Sequence, residues 1–130
     1  MPSIALTFGD TVKSFPALAN TRNRRVQRAV KAILSKTASE VIARLEIPGR
    51  DYNDRTWNLR RSWKRQKMRG RDNRYKWRIS NRMFYASFIE NGTRYITPRK
   101  MLHREIENGR ARLRRRLRKL NRKVLQGAFL

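Results

Sequence analysis

The feature that most limits what this chain can fold into is a run of apolar residues between Arg22 and Leu45. Val26, Ala29, Val30, Ile33, Leu34, Ala38, Val41, Ile42 and Leu45 recur at spacings of mostly three and four. That spacing puts them on one side of an α-helix. The side is broad enough to cover a sheet, so the segment predicts a long amphipathic helix lying on other structure. Asn20 or Thr21 can cap its start, and Pro48-Gly49 stops it.

A sheet for that helix to cover is also written in the chain. Large apolar residues alternate at Ile4, Leu6 and Phe8, the pattern of a half-buried strand that Gly9-Asp10 ends. Residues 11–20, with Pro16, read as a connection with room for one helical turn. Tyr75, Trp77 and Ile79 alternate in the same way and predict a strand with one aromatic and one basic face. Ser62 to Met68 is its expected antiparallel partner, across a turn near Arg69–Asn73. Residues 50–58 are polar and loop-like.

Asn81 to Asn91, with Met83, Phe84, Tyr85, Phe88 and Ile89, has a short helical pattern closed by Gly92. A loop with Pro98 leads to a final helix over about 99–125. Its apolar residues Leu102, Ile106, Leu113, Leu117, Leu120 and Val124, with Gly109 on the same line, form a stripe about 60° wide. At 1.5 Å per residue that helix is roughly 40 Å long. It is expected to outrun so small a domain, with its end projecting or packing on a neighbouring subunit. The expected class is α+β, a single domain over 1–130: a long N-terminal amphipathic helix and a long basic C-terminal helix packed on a small antiparallel sheet.

Charge narrows the function. The 130 residues carry 34 Lys and Arg against 9 Asp and Glu, a net charge of +25. Copies of such a chain repel one another, so an anionic partner or dense counterions must offset the charge in use. Nine cations lie within residues 110–123 with no acid among them. Arg112, Arg114, Arg115, Arg116, Arg118, Lys119, Arg122 and Lys123 surround the apolar stripe and are the candidate contacts to DNA or to an acidic partner. The bland alternative is a solvated face that keeps the chain in solution; a helix lying on an anionic membrane would want aromatic residues, which the stripe lacks. The stretch Arg60–Arg78 holds ten cations and one acid, Asp72, interleaved with Trp63, Tyr75 and Trp77. Aromatics among cations can stack bases, but the period-two alternation favours aromatics turned to the core.

Other classes find little support. With no cysteine and His103 the only histidine, a disulfide framework, a thiolate zinc site, a Cys–His nucleophile and a multi-histidine metal site are excluded. Asp51 with Asp54, or Asp72 with Glu90, could hold magnesium for a nuclease only as scattered pairs without a motif. Ser62 and His103 with an Asp match a triad in composition alone. His103 is expected to cap or pack near a helix start. No cofactor is expected. The opening Met1-Pro2-Ser3-Ile4-Ala5-Leu6 lacks the order of a secretory signal, and no apolar run nears the roughly 20 residues of a membrane span. The expectation is a soluble protein made in a cytoplasm.

Two segments say more together. Thr56-Trp57-Asn58-Leu59-Arg60-Arg61-Ser62-Trp63 resembles the Thr-Gly-x-Leu-Arg-x-Ser-hydrophobic signature of the small neck or tail-completion proteins of long-tailed bacteriophages. Tyr85-Ala86-Ser87-Phe88-Ile89-Glu90-Asn91-Gly92-Thr93 is similar to that family's Tyr-Ala-x-hydrophobic-hydrophobic-Glu-x-Gly-Thr, and Pro98-Arg99-Lys100-Met101-Leu102 to its Pro-x-x-hydrophobic-Leu. Trp57 stands where the family usually has glycine, and the chain is more basic than the family leads one to expect.

The resemblance implies a non-enzymatic virion protein, made in the host cytoplasm and placed in the neck or head-proximal tail. It implies a symmetric ring, six-fold or twelve-fold, on the channel axis. The implied neighbours are connector, head-closure, tail-terminator or tail-tube proteins, with double-stranded DNA in the channel and no membrane. Gly92 would give a positive-φ helix exit, and Thr93 would bond the following loop. Glu90, one of few acids among many arginines, is expected to pair with an Arg such as Arg60 or Arg61, within or between subunits. The competing reading is a small basic nucleic-acid-binding protein, ribosomal or nucleoid-like, supported by charge and aromatics without a recognised module.

Overall fold

The computed structural model describes residues 4–46, 58–70, 74–83, 85–95, 97–98 and 100–128, with backbone alone at Asn58 and Arg60. The chain opens with strand β1 (Ile4–Phe8), followed by a 3-10 turn (Asp10–Ser14) and a single helical turn, α1 (Pro16–Ala19). Pro16 sits at the first position of α1, where its missing N–H costs nothing.

The long helix α2 (Arg24–Leu45) then runs for 22 residues. Its cap is Asn23, three residues beyond Asn20 and two beyond Thr21. The Asn23 side chain accepts hydrogen bonds from Arg25 N at 2.9 Å and Val26 N at 3.4 Å. Thr21 holds the cap instead, its Oγ1 accepting from Asn23 N, while Asn20 closes α1 through Pro16 O. Val26, Val30, Leu34, Ala38, Val41 and Leu45 are all buried, as their spacing predicts. Pro48-Gly49 lies outside the described residues.

A helical turn, α3 (Asn58–Arg61), leads into β2 (Trp63–Lys67), and β3 (Trp77–Asn81) returns antiparallel to it. β3 is central: β1 pairs on its other side, also antiparallel, in the order β1-β3-β2. The strand starts two residues later than the Tyr75–Ile79 alternation predicts. Its extent follows from its partners, since Asn81 pairs with both Ile4 and Trp63 while Trp77 pairs with both Phe8 and Lys67. Tyr75, Ile79 and Trp63 are buried and Trp77 is half-buried, so the aromatics do face the core. Of the expected turn, residues 71–73 fall outside the described residues.

The helix predicted from Asn81 is shorter, α4 (Ala86–Asn91), because Asn81 belongs to the sheet. The final helix α5 (Met101–Leu125) runs for 25 residues. It lies antiparallel along α2: Gly109 faces Val41 and Thr37, and Arg116 reaches Thr37 and Glu40. This corrects the expectation of a projecting end. α2 is nearly as long as α5 and covers it, so Leu113 and Leu117 are fully buried and Leu120 nearly so. Val124, the last residue of the stripe, is partly buried against the core, and Leu125 beside it is exposed. The buried face is also wider than the predicted stripe, taking in Met101 and Glu105.

α2 packs against β2, β3 and α5, while α5 also meets β1 and the 3-10 turn. The two helices thus form one layer and the sheet another, with a shared core of aliphatic side chains between them. Where α5 crosses α2, a Cβ on Gly109 would lie 2.8 Å from Val41 Cγ2, too close without a shift. Gly109→Val is therefore expected to destabilise the fold by about 1–3 kcal/mol, despite a gain in helix propensity. A lower denaturation midpoint with unchanged m-value checks it; equal or greater stability would refute the close crossing.

Candidate functional site

The two sequence motifs meet the structure at two corners of the fold. At the first, Leu59 is fully buried and its carbonyl oxygen accepts a hydrogen bond from Asn81 Nδ2 at 2.7 Å. Asn81 Oδ1 in turn accepts from Met83 N at 3.0 Å. One buried amide side chain thus ties the α3 turn to the end of β3. Ser62 N donates back to Leu59 O, closing α3 before β2 begins. Thr56 and Trp57 lie outside the described residues, as does the Arg60 side chain; Arg61 is exposed.

The second corner is held by Glu90, which is 1% exposed. Its carboxylate accepts hydrogen bonds from Leu102 N at 2.9 Å and His103 N at 2.8 Å, and also contacts His103 Nδ1. Its backbone carbonyl accepts from Lys100 N. Glu90 therefore caps α5 from the end of α4. A carboxylate is well suited there, because the first amides of a helix lack partners and carry the positive end of its dipole. The cap residue itself, Lys100, has left-handed backbone angles and makes no side-chain cap bond.

The Arg60 side chain, one expected partner of Glu90, lies outside the described residues, and Arg61 is exposed; within the chain the Glu90 carboxylate is held by the start of α5. Two fixed backbone donors satisfy the buried carboxylate without immobilising a long side chain. His103 does stand near the helix start, in a contact with Glu90 that is half exposed on its own side. Gly92 leaves α4 with φ 77°, the expected positive-φ exit, and Thr93 Oγ1 accepts from Tyr95 N at 3.2 Å in the following loop. Ala86 is fully buried at the start of α4, with Tyr85 as its cap residue. Pro98 is exposed.

The basic helix is less free than its sequence suggests. Glu40 on α2 takes Arg116 through both carboxylate oxygens, at 2.6 and 2.9 Å from Nη2, and Arg116 Nη1 donates to Thr37 Oγ1. Arg112 Nε lies 3.1 Å from Glu40 Oε2. Burial, and then Arg44 nearby, hold the Arg112 guanidinium below its ordinary pKa, with Glu40 and Glu105 acting against them and Arg116 adding to the fall. Arg112 and Arg116 are thus bound within the fold. Arg114, Arg115, Arg118, Lys119, Arg122 and Lys123 remain exposed. Asn81 and Glu40 carried no motif, although Glu40 is the lone acid of α2 and faces a helix full of arginine.

Of the scattered carboxylates, Asp51, Asp54 and Asp72 lie outside the described residues. Among the described residues no group of three or more His, Cys, Asp or Glu is placed to hold a metal, and no helix is long and apolar enough to cross a membrane.

A family model described as "Bacteriophage HK97-gp10, putative tail-component" matches residues 9–92. The chain belongs to this family. The HK97-gp10-like match takes in α2, the Leu-Arg-x-Ser turn, the hairpin and α4, and it stops at Gly92, before α5. No curated protein and no solved structure matches the chain. Family membership makes this HK97-gp10-like protein a structural component of a bacteriophage tail region. The first motif and most of the second fall inside the matched span, and their described residues hold the corners of the fold.

Two measurements probe those corners. Glu90→Ala leaves buried amides without an acceptor and is expected to cost about 3 kcal/mol, while His103→Ala, half exposed, costs under about 1 kcal/mol. Equal losses in denaturant melts would contradict the capping role. Glu40→Ala strands Arg112 beside Arg44 and Arg116 and is expected to cost about 2 kcal/mol. A neutral effect would mean that the α2–α5 ion pairs add nothing to the packing beneath them.

Proposed function

We propose that the protein is a ring-forming neck or tail-completion subunit that joins a DNA-filled head to the tail. It performs no chemistry on a substrate; its work is shape, charge and ring closure. In this reading it resides in the virion after assembly in the host cytoplasm, beside connector, head-closure, tail-terminator or tail-tube proteins.

The observation that carries the proposal is the construction of the α4–α5 corner. Glu90, Gly92 and Thr93 order this segment, and it presents Phe88 and Tyr95, 41% and 88% exposed, to solvent. Aromatic side chains on an ordered corner are the anchors that subunit interfaces use. A second copy that meets that corner with a different surface of its own makes a head-to-tail contact, and such contacts close into a ring when the rotation between copies closes. Family membership in a phage tail component supports the setting and weighs against the ribosomal or nucleoid-like alternative.

Native mass spectrometry of the purified chain at moderate salt tests this. A closed oligomer is expected, reduced to monomers by Phe88→Glu with Tyr95→Glu while circular dichroism stays unchanged. Monomers alone, both in isolation and in particles containing the chain, would sink the proposal.

A further inference from the structure

Pairing α2 with α5 sorts their charges along the helix layer in a way neither segment shows alone. Glu40, Glu46, Glu105 and Glu107 all lie toward the end where α2 finishes and α5 begins. Residues 22–39 and 108–128 contain no acid at all. Since the helices are antiparallel, these two acid-free stretches lie side by side.

The Glu40 ion pairs mark the solvent-facing side that the two helices share. At 100° per residue, Arg25 and Lys36 fall on the same side of α2 as Glu40. Arg115, Lys119, Arg122 and Lys123 fall on the same side of α5 as Arg112. All six of these cations are exposed. An open depression of about 320 Å³ lined by Arg112, Arg115, Arg116 and Lys119 lies at the start of this seam. Arg114 lies round toward Arg110, which bonds Thr7 of β1, and Arg118 lies between Arg114 and Arg122; neither is counted in the seam.

We propose that this two-helix seam is a binding surface for the phosphate backbone of double-stranded DNA. Arg115 to Lys123 spans two helical turns, about 12 Å, the axial length of three to four phosphates of one strand. Arg115, Lys119 and the Arg122–Lys123 pair stand about one turn apart, and the carboxylate at the seam's start, Glu40, is taken up by Arg112 and Arg116. The exposed aromatic residues among the described residues, Phe88 and Tyr95, lie on the α4–α5 segment, so the seam lacks the aromatic anchors of a protein interface. Arg115 to Lys123 lie beyond the span of the family match, while Arg25 and Lys36 lie within it. The seam needs only one protomer and does not depend on ring closure.

The test is duplex binding by the full chain between 50 and 200 mM salt, with oligomeric state measured in the same samples. One variant carries R115Q, K119Q, R122Q and K123Q. A control of equal charge carries K64Q, K67Q, R78Q and R82Q, all exposed and outside α2 and α5. Neither set lies in the core, and circular dichroism checks both folds. The seam variant is expected to lower the slope of log K against log salt by about three to four per protomer, at roughly 0.9 per phosphate contact, and the control by under about one. Equal losses in the two variants would overturn the proposal, because net charge alone would then explain binding. Poly-glutamate bound as tightly as the duplex, and lost with the same four residues, would overturn it in favour of an acidic protein partner.

Discussion

Most of this structure depends on the contact between α2 and α5, which come together at Gly109. A glycine there lets α5 lie close on Val41 and Thr37, and the approach carries Leu113, Leu117 and Leu120 into the core beside the aliphatic face of α2. Dispersion and hydrophobic burial supply the energy, but only because both helices are long enough to cover each other. The sheet then closes one side of the layer, with β3 held between two strands and α2 across them.

On that frame the polar interactions act at a few defined points. Glu40 draws Arg112 and Arg116 into the helix layer, Asn81 ties α3 to the sheet, and Glu90 caps α5 from the end of α4. Asn81 and Glu90 are buried and bond backbone groups, whereas the half-buried Glu40 holds two arginine side chains. In a chain of net charge +25, acids in these places do more than neutralise. They decide which cations belong to the fold and which are left to meet a partner.

The family motifs take on physical meaning in this light. Leu59, Glu90, Gly92 and Thr93 shape two corners of the fold. That suits a structural component, where the geometry of a corner sets how copies can meet. The aromatic side chains at one corner and the acid-free seam at the far end of the helix layer are separate surfaces, the first proposed above for contact with another copy and the second for contact with DNA.

The periodicity of Val26 to Leu45 and the alternation at Ile4–Phe8 and Tyr75–Ile79 were enough to determine the α+β class, because burial requires those spacings whatever the chain does elsewhere. The motifs were legible too, down to the positive-φ exit at Gly92. What the sequence alone could not determine were matters of pairing: that Asn23 caps α2, that Asn81 ends a strand, and that Glu90 faces helix amides. Nor could it show that α2 covers α5 and removes Arg112 and Arg116 from the free surface. Each of these depends on which segment lies beside which, a choice made by the packing of the whole core. The basic helix was visible as charge; only its antiparallel partner decided which of its cations Glu40 takes up and which stay exposed.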